Sequence, residues 1–321
     1  MPPDQAAAVG LGPAFALGID LGGSKIEAVL LDRNGAECWR QRIATPSAQG
    51  YDAILAALAG QLAQARQAVD GAAVSVGLGA PGSLTADGRV KNANTVCLNG
   101  RTLQADLQAL LGQTVAIAND ANCLALSEAT DGAGRGSAVV FAAILGTGCG
   151  AGIAVGGRVL TGPNRLAGEW GHNPLPWADA DEARLACWCG QTGCVETLLS
   201  GPGLAADHQR RHGGAISALQ IAAAAAGGAE PCAATLARWQ QRLARALAGV
   251  INLLDPDIIV LGGGLSRIAD TYRVLPELWD RWVFSGGVRE PVRTRLLPAL
   301  HGDASGVRGA AWLGRDAAAG R

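Results

Sequence analysis

The sequence predicts an α/β protein of two lobes. Three observations carry that prediction. The chain has 321 residues, and a domain takes about 100–200. Short apolar runs that end on glycine-rich turns alternate with stretches of helical period. A strand–glycine-turn–strand unit occurs twice, at 15–32 and again at 139–160, so the second half repeats the grammar of the first. Apolar residues make up 49% of the chain and charged residues 17%, enough for two cores.

The elements follow in order. FALGID (15–20) is a short apolar run that ends on a glycine turn. IEAVLLD (26–32) alternates and runs into Asn34-Gly35, a hairpin signal, which makes ECWRQRIAT (37–45) a third strand. Ile54, Leu55, Leu58, Leu62 and Val69 fall at helical spacing. VSVGL (74–78) is the next strand, with the loop GAPGSL behind it. VAIAND (115–120) leads into a helix at about 121–131. VVFAAIL (139–145) ends at GTGCG, and the segment 152–160 forms a hairpin through Gly156-Gly157. A long helix over 233–254 carries Leu236, Trp239, Leu243, Leu247, Val250, Ile251 and Leu254 on one face. DIIVLGGG (257–264) is a further strand, and VRGAAWLGRDAA a terminal helix. Composition does not break sharply, and the boundary is placed near 117, giving lobes over 1–117 and 118–303 with 1–13 as a disordered tail.

The bulk numbers exclude several roles. A formal net charge of −1 and no long basic run argue against a nucleic-acid partner. No apolar run approaches the ~20 residues that span a bilayer, and the N-terminus lacks the basic and apolar regions of a signal peptide. A cytoplasmic, reducing location is expected, where clustered cysteines bind metal more often than they pair.

Five motifs carry the chemistry. Asp20-Leu21-Gly22-Gly23-Ser24-Lys25 brings an acid to a strand end and follows it with a turn stripped of side chains. Its backbone N–H groups suit phosphate oxygens, and Asp20 suits Mg²⁺ held through water. Gly146-Thr147-Gly148 repeats this logic at the second strand end, and Gly262-Gly263-Gly264 at a third, where a flat adenosine can lie on backbone. Each alone is equally a tight turn; together they point to a nucleotide site. Gly77-Leu78-Gly79-Ala80-Pro81-Gly82 mimics the dinucleotide fingerprint, but Pro81 follows where a helix should open. Asn119-Asp120 stands between a strand and a helix. Asp120 either caps that helix or accepts the proton of an attacking hydroxyl. The most specific motif is Cys187-Trp188-Cys189-Gly190-Gln191-Thr192-Gly193-Cys194, with His172 fifteen residues before Cys187. Three thiols and one imidazole make a closed Cys₃His site for structural Zn²⁺, the alternative being buried or redox thiols. Glu169 and Glu196 are tethered to that loop and suit bidentate recognition of neighbouring sugar hydroxyls.

These stretches resemble the ROK family of sugar kinases and related repressors. DLGGSK (20–25), GAPG (79–82), NDANCLALSEA (119–129), LGTGCGAG (145–152), GEWGH (168–172), CWCGQTGCVET (187–197) and DPDIIVLGGG (255–264) follow the family's order, from about 15 to 312. The resemblance implies a two-lobed actin-like, ribonuclease H-like ATPase fold with a zinc loop, in which the last helix (304–321) returns to the first lobe. It implies ATP with Mg²⁺ as phosphoryl donor, a hexose acceptor and Asp120 as the base that activates its hydroxyl, usually O6. It implies sugar contacts from Asn119, Asp120, Glu169, His172 and Glu196, with His172 serving zinc and sugar through different nitrogens, and a homodimer. Ser24 departs from the family's usual threonine but keeps the hydroxyl. NANTVCLNG (92–100), GEWGHNPLPW (168–177) and HGDASGVRGAAWL (301–313) look most like fructokinase and mannokinase members. Fructose is therefore the expected substrate, N-acetylglucosamine or glucose the alternative, and the segment 92–99 is expected to face the sugar. A sugar-responsive regulator is disfavoured because about 14 residues precede the first strand. A sugar-binding module without catalysis is disfavoured because Asp20, Lys25, Asp120 and all three glycine turns are intact.

Overall fold

The computed structural model of the chain describes residues 13–285, 288 and 290–320. The stretch expected to be disordered lies outside them, apart from residue 13. The chain divides into two compact units, Met1–Cys123 with Gly306–Arg321, and Leu124–Ser305. Among the described residues no helix is long and apolar enough to cross a membrane.

In the first unit β1 (Phe15–Leu21), β2 (Lys25–Leu31) and β3 (Glu37–Ala44) form an antiparallel meander. β1 and β2 are buried almost throughout, whereas β3 alternates and forms an edge. α1 (Tyr51–Gln67) buries Ile54, Leu58, Leu62 and Ala65, one face of a helix. β4 (Val74–Gly79) returns parallel to β1. The little hairpin of β5 (Ser83–Leu84) and β6 (Val90–Lys91) and the helix α2 (Leu103–Leu111) precede β7 (Val115–Ala118), which is parallel to β4. The sheet order is β3-β2-β1-β4-β7. α3 (Asp120–Thr130) carries the chain into the second unit.

The second unit builds the same pattern again. β8 (Val139–Leu145), β9 (Cys149–Val155) and β10 (Arg158–Val159) are antiparallel. Cys149 pairs with Leu145, so the second glycine turn closes at Gly148 and Cys149 already belongs to a strand. The short helices α4 (Ala180–Ala183) and α5 (Glu196–Leu199) are followed by α6 (Gly201–His212), α7 (Ala218–Ala226) and α8 (Glu230–Leu254). α8 begins three residues before the expected start, because Pro231 sits in its first turn, where a missing N–H costs nothing. β11 (Ile258–Gly262) runs parallel to β8, and after α9 (Thr271–Trp279) β12 (Arg295–Pro298) runs parallel to β11. The order β10-β9-β8-β11-β12 reproduces the first sheet strand for strand. α10 (Ser305–Ala318) closes the chain. The larger core lies between this sheet and α8, with Trp239, Leu243, Leu247 and Trp279 fully buried.

Candidate active site and metal-binding loop

In the first unit β1, β4 and β7 are parallel neighbours, so their carboxyl ends share one edge of the sheet. Ligands of open α/β sheets collect at that edge. Asp20 stands at the end of β1 and Asp120 just past the end of β7. Gly79 lies beside Asp20 in register, on the strand between β1 and β7.

Asn119, and not Asp120, caps α3: its Oδ1 accepts the N–H of Asn122 at 2.8 Å. The capping alternative for Asp120 therefore loses its role, although Asp120 Oδ1 accepts the adjacent Ala121 N–H at 2.8 Å. Loss of water around the Asp120 carboxyl, which stays solvent-accessible, pushes its pKa above the ordinary value, and the Ala121 N–H opposes that rise. Burial, then the nearby Asp120 charge, pushes Asp20 up to about 6, against the pull of Lys25. Two carboxylates that resist ionisation in the protein alone are suited to a divalent cation and to a proton in transit.

The turn 22–24 is closed by the Gly22 N–H to Lys25 carbonyl bond of 2.9 Å and tied down by Thr45, whose hydroxyl donates to the Gly22 carbonyl at 2.7 Å. Gly23 and Ser24 are left exposed. Lys25 Nζ rests 3.3 Å from the buried Glu27, which also receives Arg40 and Arg42. In the segment 92–99, expected to face the sugar, one asparagine is engaged within the loop itself. Asn99 spends its side-chain amide on both backbone groups of Ala93, at 2.9 and 3.0 Å, and braces the loop. Thr95 and Asn94 lie against Gly23, and the Thr95 hydroxyl is buried without a partner among the described residues.

In the second unit the other two glycine turns are neighbours, because β8 and β11 pair in parallel with Ile144 beside Gly262. Gly263 has φ +81°, and a Cβ there would stand 2.5 Å from the Leu145 carbonyl oxygen. Only glycine can cross the strand end this closely. Gly146, Thr147, Gly148, Gly263 and Gly264 are at least partly open to solvent, whereas Gly262 is buried in the strand.

The metal loop is a hairpin held by Cys187 N–H to the Gln191 carbonyl (2.9 Å) and by Leu175 N–H to the Gly193 carbonyl (2.9 Å). His172, Cys187, Cys189 and Cys194 each offer a ligand atom, and these atoms lie within 4.8 Å of one another. Tetrahedral Zn²⁺ with Zn–S of about 2.3 Å sets two sulfurs about 3.7 Å apart; the Cys189 and Cys194 sulfurs are 3.7 Å apart, as are Cys187 Sγ and His172 Nδ1. The donor set fits zinc and leaves no fifth protein ligand among the described residues. With Nδ1 turned to the thiols, His172 Nε2 points to the opposite side of its ring. Glu196 accepts the Cys149 N–H at 2.9 Å and the Trp188 indole N–H. Glu169 is half-buried, one turn before His172.

The model of the ROK family matches residues 16–317. The chain belongs to the ROK family. Among its relatives, the N-acetyl-D-glucosamine kinase of Pectobacterium atrosepticum is 40% identical over 312 residues, 92% of this chain and 97% of the relative. The N-acetylgalactosamine kinase AgaK of Shewanella sp. (strain ANA-3) is 40% identical over 306 residues, covering 94% and 97%. The solved ROK glucokinase of Streptomyces griseus, in complex with glucose and AMPPNP, is 28% identical with a TM-score of 0.75, covering 94% of this chain and 99% of that one.

This ROK sugar kinase thus has the actin-like fold that the resemblance implies. The expectation of fructose does not gain the same support: neither of these relatives is a fructokinase, and both are kinases of N-acetylated hexosamines. The residue similarities behind that expectation, at 92–100, 168–177 and 301–313, are short, and the whole-chain comparison weighs more than they do. Two buried carboxylate centres escaped the sequence. Glu128 is fully buried and accepts from Ala133 N, Leu300 N and the Ser305 hydroxyl at 2.8–3.1 Å. Asp207 and Glu182 are joined by the buried Arg242 at 3.1 and 2.7 Å.

Proposed function

We propose that this ROK kinase transfers the γ-phosphoryl group of MgATP to O6 of an N-acetylhexosamine, N-acetylglucosamine ahead of fructose. The observation that carries this reading is the 40% identity to an N-acetyl-D-glucosamine kinase across 92% of the chain. Asp120 is the base. The sugar oxygen attacks the γ-phosphorus, the bond from phosphorus to the ADP oxygen breaks, and the hydroxyl proton passes to Asp120. Its raised pKa supports that role, since a base closer to neutrality takes a proton more readily. Asn119, Asp120, Glu169, His172 and Glu196 bind the sugar. Asp20, Gly22, Gly23, Ser24 and Lys25, with Gly146, Thr147, Gly148 and Gly262–Gly264, bind the nucleotide and its Mg²⁺. Structural Zn²⁺ held by His172, Cys187, Cys189 and Cys194 stiffens the loop that carries two of the sugar ligands. The protein acts in a reducing compartment, which suits a chain whose eight cysteines form no disulfide. It acts as a homodimer, which suits Leu253 and Phe284, 91% and 85% exposed; light scattering at working concentration tests this.

The deciding experiment couples ADP release to a readout, with N-acetylglucosamine, N-acetylgalactosamine, glucose, mannose and fructose as acceptors. N-acetylglucosamine is expected to give the highest kcat/KM. Preference for fructose would restore the substrate suggested by the loop segments, and release stimulated by no sugar would overturn the kinase reading.

A further inference from the structure

Trp188 stands between two of the candidate metal ligands and is 69% exposed. An indole so open to water has little reason to hold a single orientation, yet this one has two specific contacts. It meets the His172 ring edge to face, with centroids 5.0 Å apart and planes at 87°. Its Nε1–H donates to Glu196 Oε1. The other oxygen, Oε2, accepts the Cys149 N–H at 2.9 Å. A Cβ on Gly148 would stand 2.8 Å from that oxygen, so the carboxylate also occupies space that a side chain there would take. Glu196 is therefore fixed from two directions, by the backbone of the glycine turn and by one indole of the metal loop. An indole can only donate and an ionised carboxylate can only accept, so the pairing has a single sense.

We propose that Trp188 is a positioning residue that converts closure of the Cys₃His loop into a fixed orientation of the Glu196 carboxylate, and so sets the affinity for the sugar. The proposal rests on the reading above that Glu196 binds the sugar. The physical argument is connectivity. Metal bonds at Cys187 and Cys189 fix the main chain on both sides of Trp188, and His172, a ligand of the same ion, supplies the surface on which the ring rests. Free the loop and Glu196 keeps only the Cys149 N–H.

Trp188→Phe keeps an aromatic ring that can lie against His172 and removes the N–H. It is expected to retain full zinc by metal analysis and to raise the sugar Kd and KM about 10-fold, the lower end for a lost hydrogen bond to a charged group. The loss falls on the sugar KM rather than kcat and leaves the KM for MgATP alone, as expected for an interaction equal in ground and transition states. A double-mutant cycle with Glu196→Ala separates positioning from general structure. With Glu196 absent, Trp188→Phe should cost less than twofold; fully additive losses overturn the proposal. A Glu196→Ala variant that binds sugar as tightly as wild type would instead remove the sugar-binding role of Glu196, a failure distinct from the first. Independently of activity, a chelator should change the tryptophan emission of the wild type more than that of Trp188→Phe, the remaining change in the variant coming from other indoles such as Trp177 in the same loop; equal changes in both would overturn the link from metal to indole.

Discussion

Asp120 and Asp20 lie at the same edge of one sheet and have different work. As the proposed base, Asp120 must be ionised to accept a proton, and its carboxyl is held above the ordinary range by lost hydration. The acid limb of kcat/KM is therefore expected above the pH at which an exposed aspartate titrates, and Asp120→Asn should lower kcat by 10²–10⁴-fold, roughly the span of general-base contributions, while sugar still binds. Isothermal titration with sugar and steady-state kinetics on the same variant check both halves. Asp20 offers a test on stability. Its pKa rises from 3.8 to about 6 on folding, so between those values the folded protein binds more protons than the unfolded one. Stability then falls as pH rises through that window, because stability grows with pH only where the unfolded state holds more protons. In protein free of nucleotide and divalent cation, Asp20→Asn is expected to raise Tm at pH 7.5 by a few degrees, on the order of 1–3 kcal/mol, with the gain vanishing near pH 4. A gain equal at both pH values would show that ionisation of Asp20 is not its source.

Elements turn these side chains into sites, and two of them invite opposite tests. The candidate metal loop anchors its ends in the core through Leu175 and Val195, while the hairpin between them carries three of the four candidate ligands. Cys194→Ala should release the ion, seen as loss of one zinc per chain, and open residues 173–196 to protease, because free energy of binding is free energy of folding at such sites. The packing of α6 on α8 instead turns on Arg242. Burial pushes the Asp207 carboxyl up, but Arg242 and Arg238 more than reverse this and hold it below the usual carboxylate range. Arg242→Met removes the buried guanidinium that joins Asp207 and Glu182 but leaves Arg238 on the first and Arg245 on the second, so its cost is expected near 1–3 kcal/mol, roughly that of losing buried hydrogen bonds to charged groups. Arg273→Met, which breaks an exposed pair with Asp270, should cost under about 1 kcal/mol. Urea unfolding of the two variants checks the contrast. The difference between these elements also explains what could be read in advance. Three of the candidate metal ligands lie within eight residues, and each glycine turn directly follows its strand, so both patterns are local in the sequence. The partners Glu182 and Arg242 are 60 residues apart, and Glu128 and Ser305 are 177 apart; nothing local marks them. α7, ALQIAAAAA, is mostly alanine, which marks neither a buried nor an exposed face, and so carries no period.

For the chain as a whole, the first unit is discontinuous: it takes residues up to Cys123 and then the segment from Gly306. The terminal helix α10 must therefore find the first sheet after the whole second unit has been made, and what receives it there is a trough of glycine. Gly18 and Gly77 pair across β1 and β4. A Cβ on Gly18 would stand 1.9 Å from the Val307 carbonyl oxygen, and one on Gly77 equally close to that of Ala310. The helix contributes its own gap at Gly314, where a Cβ would stand 2.4 Å from the Val76 carbonyl carbon. Backbone thus lies on backbone, and Arg308 and Arg315 fasten the helix to the carbonyls of Gly35 and Asp32 at 2.8 and 2.7 Å. Gly77→Ala forces a methyl group into a contact where neither side is a side chain that can turn away. Overpacking costs about 1–3 kcal/mol when side chains can adjust, so the upper end or more is expected, read as a lower transition for the first unit in calorimetry. Gly60 in α1 is the control: nothing lies within 4 Å of its Cβ position. Gly60→Ala should stabilise by about 0.5–1 kcal/mol, since alanine loses less freedom in a helix. A Gly77→Ala protein as stable as wild type would mean that α10 does not lie against this sheet, and the expected return of the last helix to the first lobe would fall with it.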